Sequence, residues 1–168
     1  MEEEMSEFEE LVCHYYKDET YNCAETIIHA ANDYYHLDIN EEDMKLFGGF
    51  GGGMFSGMVC GALVADVAVI SKMIVQRSAK EEKETVRPKI QEMVRTFRNH
   101  MEGTTCVELK PKYHTKEEGC FKTRLMGAQA LEMTINKLKE NGGRAPFSYV
   151  VMFCVYLFNV SLKTKYFW

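Results

Sequence analysis

Apolar positions recur at helical spacing along most of the chain. Between Glu2 and Lys17, Met5, Phe8, Leu11, Val12 and Tyr15 follow one another at steps of three, three, one and three, which marks one face of a helix. Glu2-Glu3-Glu4 at its start complements the positive end of the helix dipole. Asp18 to Tyr21 reads as a short connection. A second helix is predicted from about Asn22 to His36, with Cys23, Ile27, Ala30 (or Ala31) and Tyr34 as its inner stripe. Asn40 followed by Glu41, Glu42 and Asp43 caps a third, short helix. From about Phe55 to Val75 only Asp66 and Lys72 interrupt an uncharged run. A helix so apolar on all sides belongs in the middle of a bundle.

Ser78 to Met101 is amphipathic again, with Val86, Ile90, Met93, Phe97 and Met101 in helical register. Arg87-Pro88 either kinks that helix or marks its true start. Gly103-Thr104-Thr105 breaks the run, and Pro111 ends a short turn around Cys106. A last helix, about Lys116 to Asn141, carries Cys120, Leu125 (or Arg124 beside it), Ala128, Leu131, Ile135 and Leu138. Asn141-Gly142-Gly143 stops it. No strand alternation precedes residue 144. The pattern predicts an all-α bundle of five to six helices, with a glycine-rich loop before a buried central helix.

That loop, Phe47-Gly48-Gly49-Phe50-Gly51-Gly52-Gly53, cannot be an ordinary helix interior, because each glycine there costs about 1 kcal/mol relative to alanine. It fails the phosphate-loop tests: no Gly-Lys-Ser/Thr follows, and no Gly-x-Gly-x-x-Gly is present. What remains is a tight turn that feeds backbone N–H groups into a helix start, where anions and thiolates are favoured. Gly51, Gly52, Gly53, Gly57 and Gly61 are therefore candidate cofactor-binding positions. The alternative is that these glycines only let helices pack closely.

The chain has 168 residues with 46% hydrophobic and 27% charged, a balance that excludes wholesale disorder. Its length suits one domain, read as residues 1–143, followed by an apolar tail at 144–168. The formal net charge is −5. With no basic block to neutralise phosphates, nucleic-acid binding is excluded as an expectation. In the tail, Ala145 to Val160 carries no charge, yet it falls short of the roughly 20 residues that span a bilayer. It reads as a packing or oligomerisation segment that supports a homodimer, in preference to a membrane contact. The start shows no signal-peptide pattern. Together with six cysteines, this predicts a cytoplasmic location with reduced thiols.

Cys23, Cys60, Cys106 and Cys120 recur at helix starts or breaks, while Cys13 and Cys154 sit within long apolar segments. The chain has no Cys-x-x-Cys, so neither a thioredoxin-type pair nor a zinc ribbon is signalled. Any one cysteine reads by default as a small core residue. Cys60, closest after the glycine loop, is the expected nucleophile. His14, His29 and His114 lie near cysteines in sequence and are candidate ligands or thiol bases, although core-edge histidines are commoner. His36 and His100 suit helix ends.

Asn22-Cys23-Ala24-Glu25, Gly51-Gly52-Gly53-Met54 with Gly57, Cys60-Gly61-Ala62, Cys106-Val107-Glu108-Leu109 and Cys120 resemble, in that order, a bacterial redox-active family. It is named for four fixed cysteines and a Cys-Gly-Ala-x-x-Gly motif. The resemblance spans about Glu7 to Leu138. Ala65 stands where the motif ends in glycine. Close packing survives that change, whereas a role needing positive φ would not. The resemblance implies a helical fold, converging cysteines and a redox or metal role without a defined reaction. Two of Cys23, Cys60, Cys106 and Cys120 would then cycle between dithiol and disulfide, as in an oxidoreductase with a redox partner of its own. Otherwise all four would hold zinc or an iron–sulfur cluster. The competing expectation is a non-catalytic binding or assembly module, or a small-ligand carrier, with the cysteines as core residues.

Overall fold

A computed structural model of the chain describes residues 4–17 and 20–140. The tail, with the dimer expectation placed on it and Cys154, lies outside the described residues. Within them are seven α-helices: α1 (Glu7–Lys17), α2 (Cys23–Tyr35), α3 (Glu41–Met44), α4 (Gly61–Ile74), α5 (Lys83–Met101), α6 (Cys106–Tyr113) and α7 (Phe121–Glu140). A 3₁₀ turn (Lys45–Phe50) and a π turn (Gly53–Gly57) join α3 to α4. The only β pairings among the described residues are two isolated bridges, Val59 with Thr105 and Thr115 with Gly119.

The core joins Phe8 and Val12 of α1, Ile27 and Ile28 of α2, Val69 and Ile70 of α4, Met93 and Phe97 of α5, and Leu131 of α7. α4 packs against α2, α5 and α7, which is the central place its composition predicts. Small side chains let it in. A Cβ added to Gly127 of α7 would fall 2.9 Å from the Cβ of Ala62 in α4. Ala65 is fully buried inside α4 and is absent from the positive-φ residues. Its small size is what matters there.

The elements differ from expectation in four places. α2 is buried over most of its first two turns and not along a narrow stripe. α4 begins only at Gly61, so Phe55 lies outside it and is 82% exposed. α5 begins at Lys83 and runs through Pro88 without ending, since a proline near a helix start removes few bonds. The stretch after Thr105 is a helix with Pro111 inside it, and the Thr115–Gly119 bridge delays α7 until Phe121. The predicted five to six helices become seven, because the stretch around Cys106, expected as a short turn ending at Pro111, is the helix α6 with Pro111 inside it. Among the described residues no helix is long and apolar enough to cross a membrane.

Candidate functional site

Each candidate cysteine stands at a helix start, and capping boxes fix two of them. Asn22 caps α2: its side chain accepts from the N–H groups of Ala24 (2.8 Å) and Glu25 (3.2 Å), and Glu25 accepts in return from the Asn22 N–H (2.9 Å). This reciprocal box holds Cys23 at the first helical position. Asn22 also donates to the Gly48 carbonyl at 3.0 Å, tying the glycine turn to the same end. Cys60 is itself the N-cap residue of α4. Thr105 and Glu108 form a second box that places Cys106 first in α6. Cys120 precedes α7, and its carbonyl accepts from the Arg124 N–H at 3.2 Å.

The glycine segment closes these starts on one another. The Cys106 N–H donates to the Met58 carbonyl (2.7 Å), and the Cys60 N–H to the Thr104 carbonyl (2.9 Å). Gly53 has φ +63°, and a Cβ there would meet the Met58 carbonyl oxygen at 2.6 Å and the Cys106 Cβ at 2.7 Å. A Cβ on Gly61 would meet the Phe50 carbonyl oxygen at 2.7 Å and the Cys23 Cβ at 3.3 Å. Only glycine fits either position.

Cys23, Cys60, Cys106 and Cys120 line one cavity, together with Gly52, Gly53 and Gly61. Its free space is close to that of a single water molecule. Gly51 and Gly57 are not in the lining; they pack on Asn22 and Val107. Cys13 lies on α1, away from the cavity. No histidine lines it either. His29 is buried between the rings of Tyr15 and Tyr21, at 5.3 and 4.3 Å, and His100 pairs with Gln129. His36 caps α2 in the left-handed region.

The thiols differ sharply. Cys23 is held low, to about 6. The main cause is a hydrogen bond from the Cys120 thiol, with the Arg124 charge and hydrogen bond and the Gly52 N–H adding to it against the opposing pull of burial. Cys120 is driven up by the same hydrogen bond, then by burial. Burial pushes Cys60 up to about 12, with the Cys23 sulfur adding to it. Burial also raises Cys106, and Lys110 partly opposes this. The glycine loop does lower a thiol, as its geometry predicts, but that thiol is Cys23 across the cavity. Cys60 is 3% exposed.

Arg124 is the residue that pattern reading passed over. Its Nη1 donates to Thr26 Oγ1 at 3.0 Å, and its guanidinium carbon lies 4.7 Å from the Tyr16 ring centroid. These contacts aim a fixed charge at Cys23. The available signal was its spacing: Arg124 follows Cys120 by four residues, so both share one face of the α7 start.

This cysteine cluster and its order decide the family. A family model described as "Putative redox-active protein (C_GCAxxG_C_C)" matches residues 21–136. The chain belongs to that family. No curated protein and no solved structure matches it. The redox-active family's cysteines are chemically apt for zinc or an iron–sulfur centre. As arranged, they do not fit one: among the described residues no three His, Cys, Asp or Glu side chains form a group that could hold an ion.

Proposed function

We propose that the chain is a dithiol–disulfide redox protein in which Cys23 attacks and Cys120 closes the bond. The observation that carries this reading is that Cys23 and Cys120, at the starts of α2 and α7, line one cavity, where the neighbouring thiol lowers Cys23 and raises Cys120. The Cys23 thiolate attacks one sulfur of a substrate disulfide and expels the other as a thiolate, leaving a mixed disulfide. Cys120 then loses its proton and attacks Cys23 Sγ. The Cys23–Cys120 bond forms and the second substrate thiolate leaves. The substrate gains the two electrons that the pair gives up. Cys60, which is buried, and Cys106 line the same cavity. An attacking thiol works best when its pKa lies near ambient pH, which Cys23 satisfies and Cys60 does not.

Limited oxidation tests this. The reduced full chain, treated anaerobically with one equivalent of oxidised glutathione and mapped by mass spectrometry, is expected to close Cys23 to Cys120 first. Closure of Cys60 to Cys106 first, or of no pair, would reject the assignment. Metal and absorbance analysis of the same anaerobic sample covers the metal reading, since iron or zinc bound in proportion to the chain would replace it.

A further inference from the structure

Exchange with a disulfide leaves one feature of the cavity unused. Thr123 lines it, is 4% exposed, and its Oγ1 has no hydrogen-bond partner. Two other helical threonines bond to the carbonyl one turn back: Thr134 to Ala130 at 2.8 Å and Thr26 to Asn22 at 2.9 Å. Thr123 does not, because its position one turn back is Gly119, which stands outside the helix and accepts from the Thr115 N–H. A buried hydroxyl left unpaired costs about 1–3 kcal/mol, so its place in the wall of a reactive cavity points to a polar ligand.

The other properties define that ligand. It is small, because the free space is close to that of one water. The lining holds Lys110 and no carboxylate, and α2, α4, α6 and α7 all direct their N-terminal ends at it, so negative charge developing there is stabilised. Arg124, beside Cys23, keeps its buried Nε without a partner.

We propose that the cavity takes a small hydroperoxide, hydrogen peroxide above all, and that Thr123 Oγ1 holds it against Cys23. This rests on the dithiol reading and supplies its oxidant. Cys23 Sγ attacks the near peroxide oxygen; the S–O bond forms, the O–O bond breaks, and the far oxygen leaves as hydroxide, which takes a proton to become water. Cys23 is then a sulfenic acid. Cys120 Sγ attacks Cys23 Sγ; the S–S bond forms, and the oxygen leaves with the Cys120 proton as a second water. Two thiols give up two electrons, and one peroxide becomes two waters.

The reduced full chain, mixed anaerobically with hydrogen peroxide, is expected to close Cys23 to Cys120 faster than free cysteine reacts. Thr123→Val should slow the peroxide reaction at least about tenfold, while closure by oxidised glutathione changes less than about twofold. Thr123→Ser should restore the peroxide rate. If peroxide reacts no faster with the protein than with free cysteine while oxidised glutathione still closes the pair, the hydroperoxide assignment is overturned and the dithiol reading stands. If neither oxidant closes the pair, both fall. Equal slowing of both reactions in Thr123→Val would also overturn it, because Thr123 would then only support the fold.

Discussion

The starts of α2 and α4 present the same residue type to the same cavity, and the two thiols are driven in opposite directions. Cys23 opens α2 and is held below the ordinary thiol value; Cys60 caps α4 and is pushed up to about 12. Both stand where a helix dipole favours a thiolate, so the dipole alone does not decide the outcome. The neighbours do. Cys23 has the Cys120 thiol, the Arg124 guanidinium and the Gly52 N–H beside it, whereas Cys60, 3% exposed in the wall of the same cavity, has the Ala62 and Leu63 N–H groups, which burial outweighs. At a buried helix start, backbone donors alone do not offset burial; the side-chain thiol and guanidinium beside Cys23 do.

Substitutions can break that contrast, and Gly61→Ala should act most strongly. Its Cβ would press on the Phe50 carbonyl oxygen at 2.7 Å and on Cys23, prising the two helix starts apart. Overpacking against backbone predicts a loss of about 3 kcal/mol in denaturant unfolding. Gly49→Ala, with nothing within 4 Å of the new Cβ, is the near-neutral control.

Asp66 sharpens the α4 side. It is fully buried, neither carboxylate oxygen has a partner, and burial raises its pKa well above the ordinary range. A raised carboxyl contributes its full stability below the unfolded pKa near 4 and loses it as pH rises toward the folded value. Asp66→Asn should therefore stabilise the fold by about 1–3 kcal/mol at pH 7 and have little effect at pH 4. Urea unfolding at both pH values checks this, and an equal effect at both would contradict it.

On the α2 side the donors can be removed one at a time. Cys120→Ala removes the largest influence on Cys23 and should raise its titration midpoint by more than about one unit. Arg124→Met should raise it by less, about half a unit to one unit. Thiolate absorbance against pH measures both shifts. Equal, negligible shifts would mean that the helix start alone sets the Cys23 charge.

Much of this contrast was legible along the chain, and its decisive part was not. Breaks and caps placed Cys23, Cys60, Cys106 and Cys120 at helix starts, and helical period exposed the central α4. The order of acidity was hidden, because proximity in sequence to the glycine loop favours Cys60 while the loop's Gly52 N–H reaches across to Cys23. Thr123 and Arg124 were equally hidden: they become site residues only when α7 begins at Phe121 and turns one face toward α2. α6 was missed because Pro111 reads as a stop from sequence, yet it sits inside an eight-residue helix whose start is fixed by the Thr105–Glu108 box.

The central claim is that Cys23 is the thiolate of the site, and residue-resolved alkylation of the reduced full chain across pH tests it most directly. Cys23 should label with a midpoint below the ordinary thiol value, in the direction its neighbours push it, and at neutral pH at least about tenfold faster than Cys60. A Cys23 midpoint at the ordinary thiol value of about 8.5, or Cys60 labelling first, would contradict the account.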